Sequence, residues 1–192
     1  MDIDFQILEG IRKISNVIDN IYNKISFKHN LTSLQLKIIH FLYLKKKEHI
    51  NMKRLSIESN LTLATISKSV KNLINKGLLE IYKTEDNKKE KYLNLTQKSL
   101  TILTKLELEI NKIIDIINKS YENNNKKIET IEILVNIINN LLNKGYLDRV
   151  SMCNLCVFYE EDKNYCKFLL KKIDYKKIEC PDFINKRYVK KS

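Results

Sequence analysis

The chain has little of what makes loops. Its 192 residues include only three glycines and one proline, so long helices joined by few irregular connections are expected. No run approaches the ~18 apolar residues of a membrane span. The opening Met1-Asp-Ile-Asp-Phe-Gln has no apolar stretch of signal-peptide length. A cytoplasmic protein with no membrane partner is the expectation. Histidine is scarce as well. His29, His40 and His49 are scattered and match neither HExxH nor a catalytic triad, and no glycine-rich phosphate loop is present. An enzyme is not expected. His40 lies near the apolar side of a helix and reads as a core or pocket-lining residue. Cysteine is missing from the first 152 residues, and all four copies fall in the last 40.

What is abundant is positive charge. A formal net charge of +12 and a pI near 9.4 suit a polyanionic partner. The 22 asparagines beside many lysines and isoleucines resemble the bias of an AT-rich genome, which raises lysine by itself. Charge alone therefore leaves nucleic acid and compositional drift both open. A hydrophobic fraction of 43% is enough for a core.

Helical periodicity organises most of the chain. From Phe5 to Ser26, Ile7, Ile11, Ile14, Ile18, Ile21 and Ile25 recur at alternating spacings of four and three. An amphipathic core helix and a dimer seam both fit that stripe. Thr32 can cap a second helix, Ser33 to about Lys46, with Leu34, Ile38, Phe41 and Leu42 on one side. After Thr96 a long helix reaches about Tyr121, with Leu100, Leu103, Leu106, Ile110, Ile113 and Ile117 on one face. Leu108, Ile114 and Ile116 broaden that face. The tract Glu122-Asn-Asn-Asn-Lys-Lys127 is expected to break it. Ile128 to Lys144 then forms another helix ending at Gly145. Together these helices carry more apolar surface than one small domain needs, so a second copy is expected to cover part of it.

Residues 51–96 are the most informative. A short helix, 51–59, is followed by a turn carrying Asn60. A second helix, 62–76, stops at Gly77. A strand (78–83), a charged tip (84–90) and a second strand (91–95) complete a helix-turn-helix with a β-wing. In such a unit the first helix braces the second, which enters the major groove. Leu55, Ile57, Leu61, Ile66, Val70 and Leu73 supply the core side. Thr62, Thr65, Ser67, Lys68, Lys71 and Asn72 supply polar groups for the groove. Thr62 doubles as the helix N-cap, where a phosphate is also favoured. On the wing, Lys83, Lys88, Lys89 and Lys91 suit the DNA backbone or minor groove. The competing picture is a solvated hairpin whose lysines pair with Glu85, Asp86 and Glu90.

On these residues the chain resembles the MarR family of bacterial transcription regulators over about residues 5–145. The matching segments are Leu61-Thr-Leu-Ala-Thr-Ile-Ser-Lys68, Leu73-Ile-Asn-Lys-Gly-Leu78 and Leu95-Thr96. The resemblance implies a homodimer interlocked through the first helix and the last two helices. It also implies an inverted-repeat operator in double-stranded DNA, usually a repressor role, and release by a small ligand or by oxidation. There are departures. The family's Asp-x-Arg wing tip falls on Asn87 and Lys89, and lysine lacks the planar fork that reads a narrow minor groove. A glycine usual in the following helix is Ser99.

The cysteine segment lies beyond that resemblance. Cys153-Asn-Leu-Cys156, Cys166 and Cys180, followed by Pro181, can supply a CxxC knuckle and two further thiolates to one tetrahedral ion. One zinc per chain is the leading expectation. A [4Fe–4S] cluster is the alternative, although ferredoxin-like spacing is absent. Reversible disulfides and four unlinked structural cysteines remain open. A thioredoxin-like role needs a βαβ setting that is missing.

The expected architecture is thus mainly α with a small β-wing. Residues 1–145 form a winged-helix domain, in which 1–30 and 97–145 are dimerisation helices and 31–96 read DNA. Residues 146–192 form a Cys-rich metal-binding tail. The competing function is a protein-interaction module of the transcription machinery with a structural zinc. One CxxC rather than two, and the heptad-like helices, argue against it.

Overall fold

A computed structural model describes residues 2–45, 49–59, 61–85, 87–147, 150–173, 175–180, 183 and 186. Asn60, Asp86, Pro181 and the end of the second helix at Lys46 lie outside the described residues. The chain divides into two units between Asn118 and Lys119, whereas the change in sequence texture falls at Gly145.

In the first unit, α1 (Ile3–Lys28), α2 (Ser33–Leu44), α3 (Met52–Glu58) and α4 (Leu63–Asn75) precede β1 (Leu79–Tyr82), β2 (Tyr92–Leu95) and α5 (Gln97–Lys119). Local signals set nearly every boundary. The Thr32 hydroxyl accepts from the Gln35 N–H, and the Gln35 side chain accepts from the Thr32 N–H, a full capping box at the start of α2. Asn51 caps α3 by accepting from the Arg54 N–H at 2.7 Å. At the end of α4, Gly77 takes φ +67°. Its N–H then donates to Ile74 O at 2.8 Å, and the Leu78 N–H donates to Leu73 O at 2.9 Å. These two bonds form a Schellman stop, and a Cβ at that φ would strain it.

The core joins all five helices of the unit and the wing. Leu36, Ile39, Leu55, Ile66, Leu73 and Leu106 are fully buried. The one-sided reading of α2 is too narrow. Gln35, Leu36 and Ile39 are buried as well as Ile38 and Leu42, because α2 packs against α1, α4 and β2 at once. Ile57 is corrected outright: it is 40% exposed, since seven-residue α3 buries only Leu55. The α1 stripe divides along its length. Ile25 is buried and Ile21 partly so, whereas Ile7, Ile11 and Ile14 are exposed. On α5, Ile102, Leu103 and Leu106 are buried, while Leu108, Ile114 and Ile117 stand in solvent.

Polar links also tie the first unit together. Ser99 is fully buried and its hydroxyl donates to Leu78 O. The Thr96 hydroxyl donates to Gly77 O at 2.8 Å. Together they fasten the start of α5 to the end of the recognition helix. Lys45, its side chain 2% exposed, faces Glu58 at 3.7 Å, and Glu58 also binds Arg54 at 2.6 Å. His40 is half-buried and its Nδ1 meets the Tyr22 hydroxyl at 2.6 Å.

Burial pushes the His40 pKa below its ordinary 6.5, with Glu107 opposing. Burial lowers His29 as well, helped by Lys105 and Lys28. A histidine depressed in the folded state prefers to stay neutral there. Its contribution is therefore complete above pH 6.5 and is lost as pH falls from there through the lowered folded value. The chain should denature at less urea at pH 5.5 than at 7.5, with part of that difference removed in His40→Gln. Equal midpoints at the two pH values would contradict this assignment.

In the second unit, α6 (Asn124–Asn143) begins earlier than expected. Asn123 caps it by accepting from the Lys126 N–H at 3.1 Å, so residues 124–127 are its first turn rather than a break. A cap residue recruits the polar tract that follows it. Gly145, at φ +78°, ends α6 through another Schellman pair to Leu142 and Leu141. A short 3₁₀ turn (Cys153–Leu155) follows, then a sheet of two-residue strands: β3 (Tyr159–Glu160), β4 (Tyr165–Cys166) and β5 (Lys171–Lys172), in that order.

Candidate nucleic-acid interface and cysteine cavity

The recognition helix α4 is cleanly two-sided. Ile66, Val70 and Leu73 face the core, while Thr62, Thr65, Ser67, Lys68 and Lys71 are exposed. Thr62 caps the helix as expected: its hydroxyl accepts from the Thr65 N–H at 3.2 Å and meets the Thr65 hydroxyl at 2.9 Å. The hydroxyl pair sits at the positive end of the helix, where a phosphate is stabilised. Asn72 is exposed, but its Oδ1 accepts from Gln35 Nε2 at 3.0 Å. That bond braces α4 against α2, which sequence spacing could not show. Leu63, 52% exposed, stands on the same first turn. It was missed because an apolar residue there reads as core, although a methyl group can meet a thymine methyl.

The wing is a regular hairpin with Leu79 opposite Leu95 and Tyr82 opposite Tyr92. Backbone before α3 supports it, since the Leu93 N–H donates to Ile50 O at 2.9 Å. His49 packs with Tyr82 and Tyr92, its Nδ1 2.8 Å from the Tyr82 hydroxyl. Glu90 organises the tip. It accepts from Asn51 Nδ2 at 2.6 Å, the Tyr92 hydroxyl at 2.8 Å and Asn87 Nδ2 at 3.2 Å. Those bonds hold Glu90 on neutral partners. Lys83, Lys88, Lys89 and Lys91 are exposed, and among the described residues none forms an ion pair. The hairpin thus presents its lysines outward on a fixed tip.

Elsewhere in the first unit, His29, Asn30, Asn75, Lys76, Lys98 and Thr101 border an open cavity of about 530 Å³. Its size is in the range of small-molecule pockets, about 300–1,000 Å³. His29 Nε2 is buried there without a hydrogen bond among the described residues.

The second unit brings all four cysteines to one small cavity of about 20 Å³. Cys153, Cys156 and Cys180 are buried and Cys166 is half-buried. The Lys177 N–H donates to Cys153 Sγ at 3.3 Å. Burial pushes the Cys153 thiol up, while the Lys177 N–H and its charge pull the other way. Among the described residues no three His, Cys, Asp or Glu side chains are gathered into a closed ligand set. Nor is any helix among them long and apolar enough to cross a membrane.

Residues 31–99 match a family described as a winged helix DNA-binding domain. Among solved structures, the MepR–DNA complex of Staphylococcus aureus is 16% identical with a TM-score of 0.59, covering 73% of this chain and 99% of that one. Staphylococcus aureus MarR in complex with salicylate and kanamycin is 20% identical, also at 0.59, covering 73% and 93%. MepR bound to ethidium bromide is 14% identical at 0.53, covering 73% and 97%. No protein of curated function matches significantly. The shared fold is that of MepR and MarR, in agreement with the resemblance carried by residues 61–68, 73–78 and 95–96.

Proposed function

We propose that this MarR-type winged-helix chain is a transcription regulator, a homodimeric repressor that binds an inverted-repeat operator. The observation that carries the reading is the outer face of α4. Its threonine pair sits at the helix N-terminus, its lysines at 68 and 71 face solvent, and a wing of outward lysines flanks it. Such a helix suits the major groove, and such a wing suits the adjacent backbone. The DNA held by MepR supports the same reading.

The dimer is proposed from surface. Phe5, Ile7, Ile11 and Ile14 on α1, and Ile114 and Ile117 on α5, expose apolar side chains. Contiguous patches of that kind usually mark an interface. Light scattering should give a dimer that shifts a two-half-site fragment selected from genomic DNA. The triple variant Ile7→Ser, Ile11→Ser, Ile14→Ser should be monomeric and should bind the same fragment more weakly. A monomeric wild-type chain with no sequence preference would overturn the reading in favour of a protein-interaction module.

Control of DNA affinity belongs to the same proposal. Salicylate on MarR and ethidium on MepR support a small ligand, for which the cavity beside His29 has the size. Metal or redox control through the cysteines is read by comparing operator affinity before and after metal loading. Equal affinities would leave the cysteines a structural role.

A further inference from the structure

Among its described residues, the segment from 150 to 183 has almost no core of its own. Its buried side chains are Met152, Cys153, Cys156, Tyr159 and Cys180, and its strands are two residues long. Two of the three buried members of its hydrophobic cluster are cysteines. A segment this small normally needs a covalent or metal staple to stay folded.

The backbone brings the thiols together from three directions. Cys153 and Cys156 flank a single 3₁₀ turn closed by the Cys156 N–H on Cys153 O at 2.9 Å. The loop before Cys180 is strapped to that turn: the Cys153 N–H donates to Lys177 O at 3.2 Å, and the Lys177 N–H returns to Cys153 Sγ at 3.3 Å. The Cys180 N–H donates to Ser151 O at 3.0 Å. Cys166 comes from the hairpin, opposite Tyr159.

The cavity these sulfurs line, about 20 Å³, is walled otherwise by Phe158, Tyr159, Phe168, Leu169 and Ile173, with Lys177 at its border. It has room for about one water-sized sphere, but a buried water needs two to four polar partners. Sulfur and hydrocarbon walls suit a soft cation far better.

We propose that Cys153, Cys156, Cys166 and Cys180 hold one zinc ion as four thiolates, and that the ion keeps residues 150–180 folded. The proposal stands independently of the DNA reading. Binding releases one proton from each thiol and forms four Zn–S bonds, leaving a net charge of −2 beside Lys177. The sulfurs line the cavity without forming a closed set, so the ion has to draw them inward. Loading and ordering of the segment are therefore coupled.

The test uses the full chain, purified without oxygen, stripped of metal and kept reduced. Cobalt(II) serves as the optical probe, and zinc is then added to displace it. The expected result is one cobalt per chain with the absorption of a tetrahedral thiolate site, displaced by one zinc. Zinc should slow alkylation of all four cysteines, read by mass spectrometry, by at least about tenfold. It should also protect the 150–180 region from proteolysis. This thiol footprint needs no variant and so does not depend on a mutant folding. In Cys156→Ser the cobalt spectrum should lose its four-thiolate character. Several results would overturn the proposal: no uptake at micromolar metal, protection of only Cys153 and Cys156, or a brown protein containing iron and sulfide. A 153–156 disulfide that forms and reduces with zinc present would do so as well.

Discussion

Replacing Lys68 and Lys71 together by alanine is expected to cost the chain most of its DNA affinity while leaving its fold intact. Both side chains are exposed on the outer face of α4, away from the core. Each phosphate that is no longer neutralised takes about 0.9 off the slope of log affinity against log salt. Two such phosphates per subunit take off about 1.8, and a dimer on two half-sites doubles that. The wild type and the double variant should therefore diverge most at low salt. Affinity measured from 50 to 200 mM salt decides the matter. An unchanged slope with weakened binding would mean that the lysines do not touch phosphate, and α4 would have to dock differently. Because Thr62 and Thr65 are untouched, residual sequence preference should survive in the variant.

Leu36→Ala should destabilise the first unit by about 2–5 kcal/mol, the range for emptying a buried leucine site. Leu36 has no exposed surface, and its helix is enclosed by α1, α4 and β2. Three elements packed around one site cannot easily collapse together onto the missing methyl groups. A domain is stable by only about 5–15 kcal/mol, so such a loss takes much of the margin. Urea denaturation followed by circular dichroism would show it. A loss well under 1 kcal/mol, smaller than the measured range for buried leucines, would mean that α2 is not enclosed in this way. DNA binding should fall with the folded fraction alone, which separates this variant from the lysine pair.

Elements whose ends are encoded within one turn were legible in the sequence. Thr32 and Thr62 each cap the helix that follows, as their positions indicated, whereas Asn51, expected inside the short helix, is its cap. Gly77 and Gly145 adopt the left-handed turn that ends one. The helix-turn-helix, the wing and the exposed side of α4 followed from those signals and from periodicity. Side chains whose environment comes from distant segments were not legible. Ile102 is buried though absent from the expected α5 face, and Ile57 is exposed though expected inside. Asn72 reads as a groove residue by spacing, yet it bonds Gln35, 37 positions away. Glu90 reads as a partner for neighbouring lysines, yet the wing fold hands it to Asn51 and Tyr92.

The sequence by itself determined the identity and order of the elements up to Gly145, the charge of the surface and the four-thiol inventory of the C-terminal segment, but not the 3₁₀ turn and short strands of that segment. Caps, glycine turns and 3.6-residue stripes act within a few residues, so they survive without knowledge of the rest of the chain. Only the tertiary structure decided which part of each stripe is covered. Ile25 lies inside, while Ile7, Ile11 and Ile14 remain outside on the same helix. Likewise, only the fold brought Cys166 and Cys180 to the cavity that Cys153 and Cys156 line. Burial is set by what arrives from elsewhere in the chain, and a local pattern can show that a face is apolar without showing what will cover it.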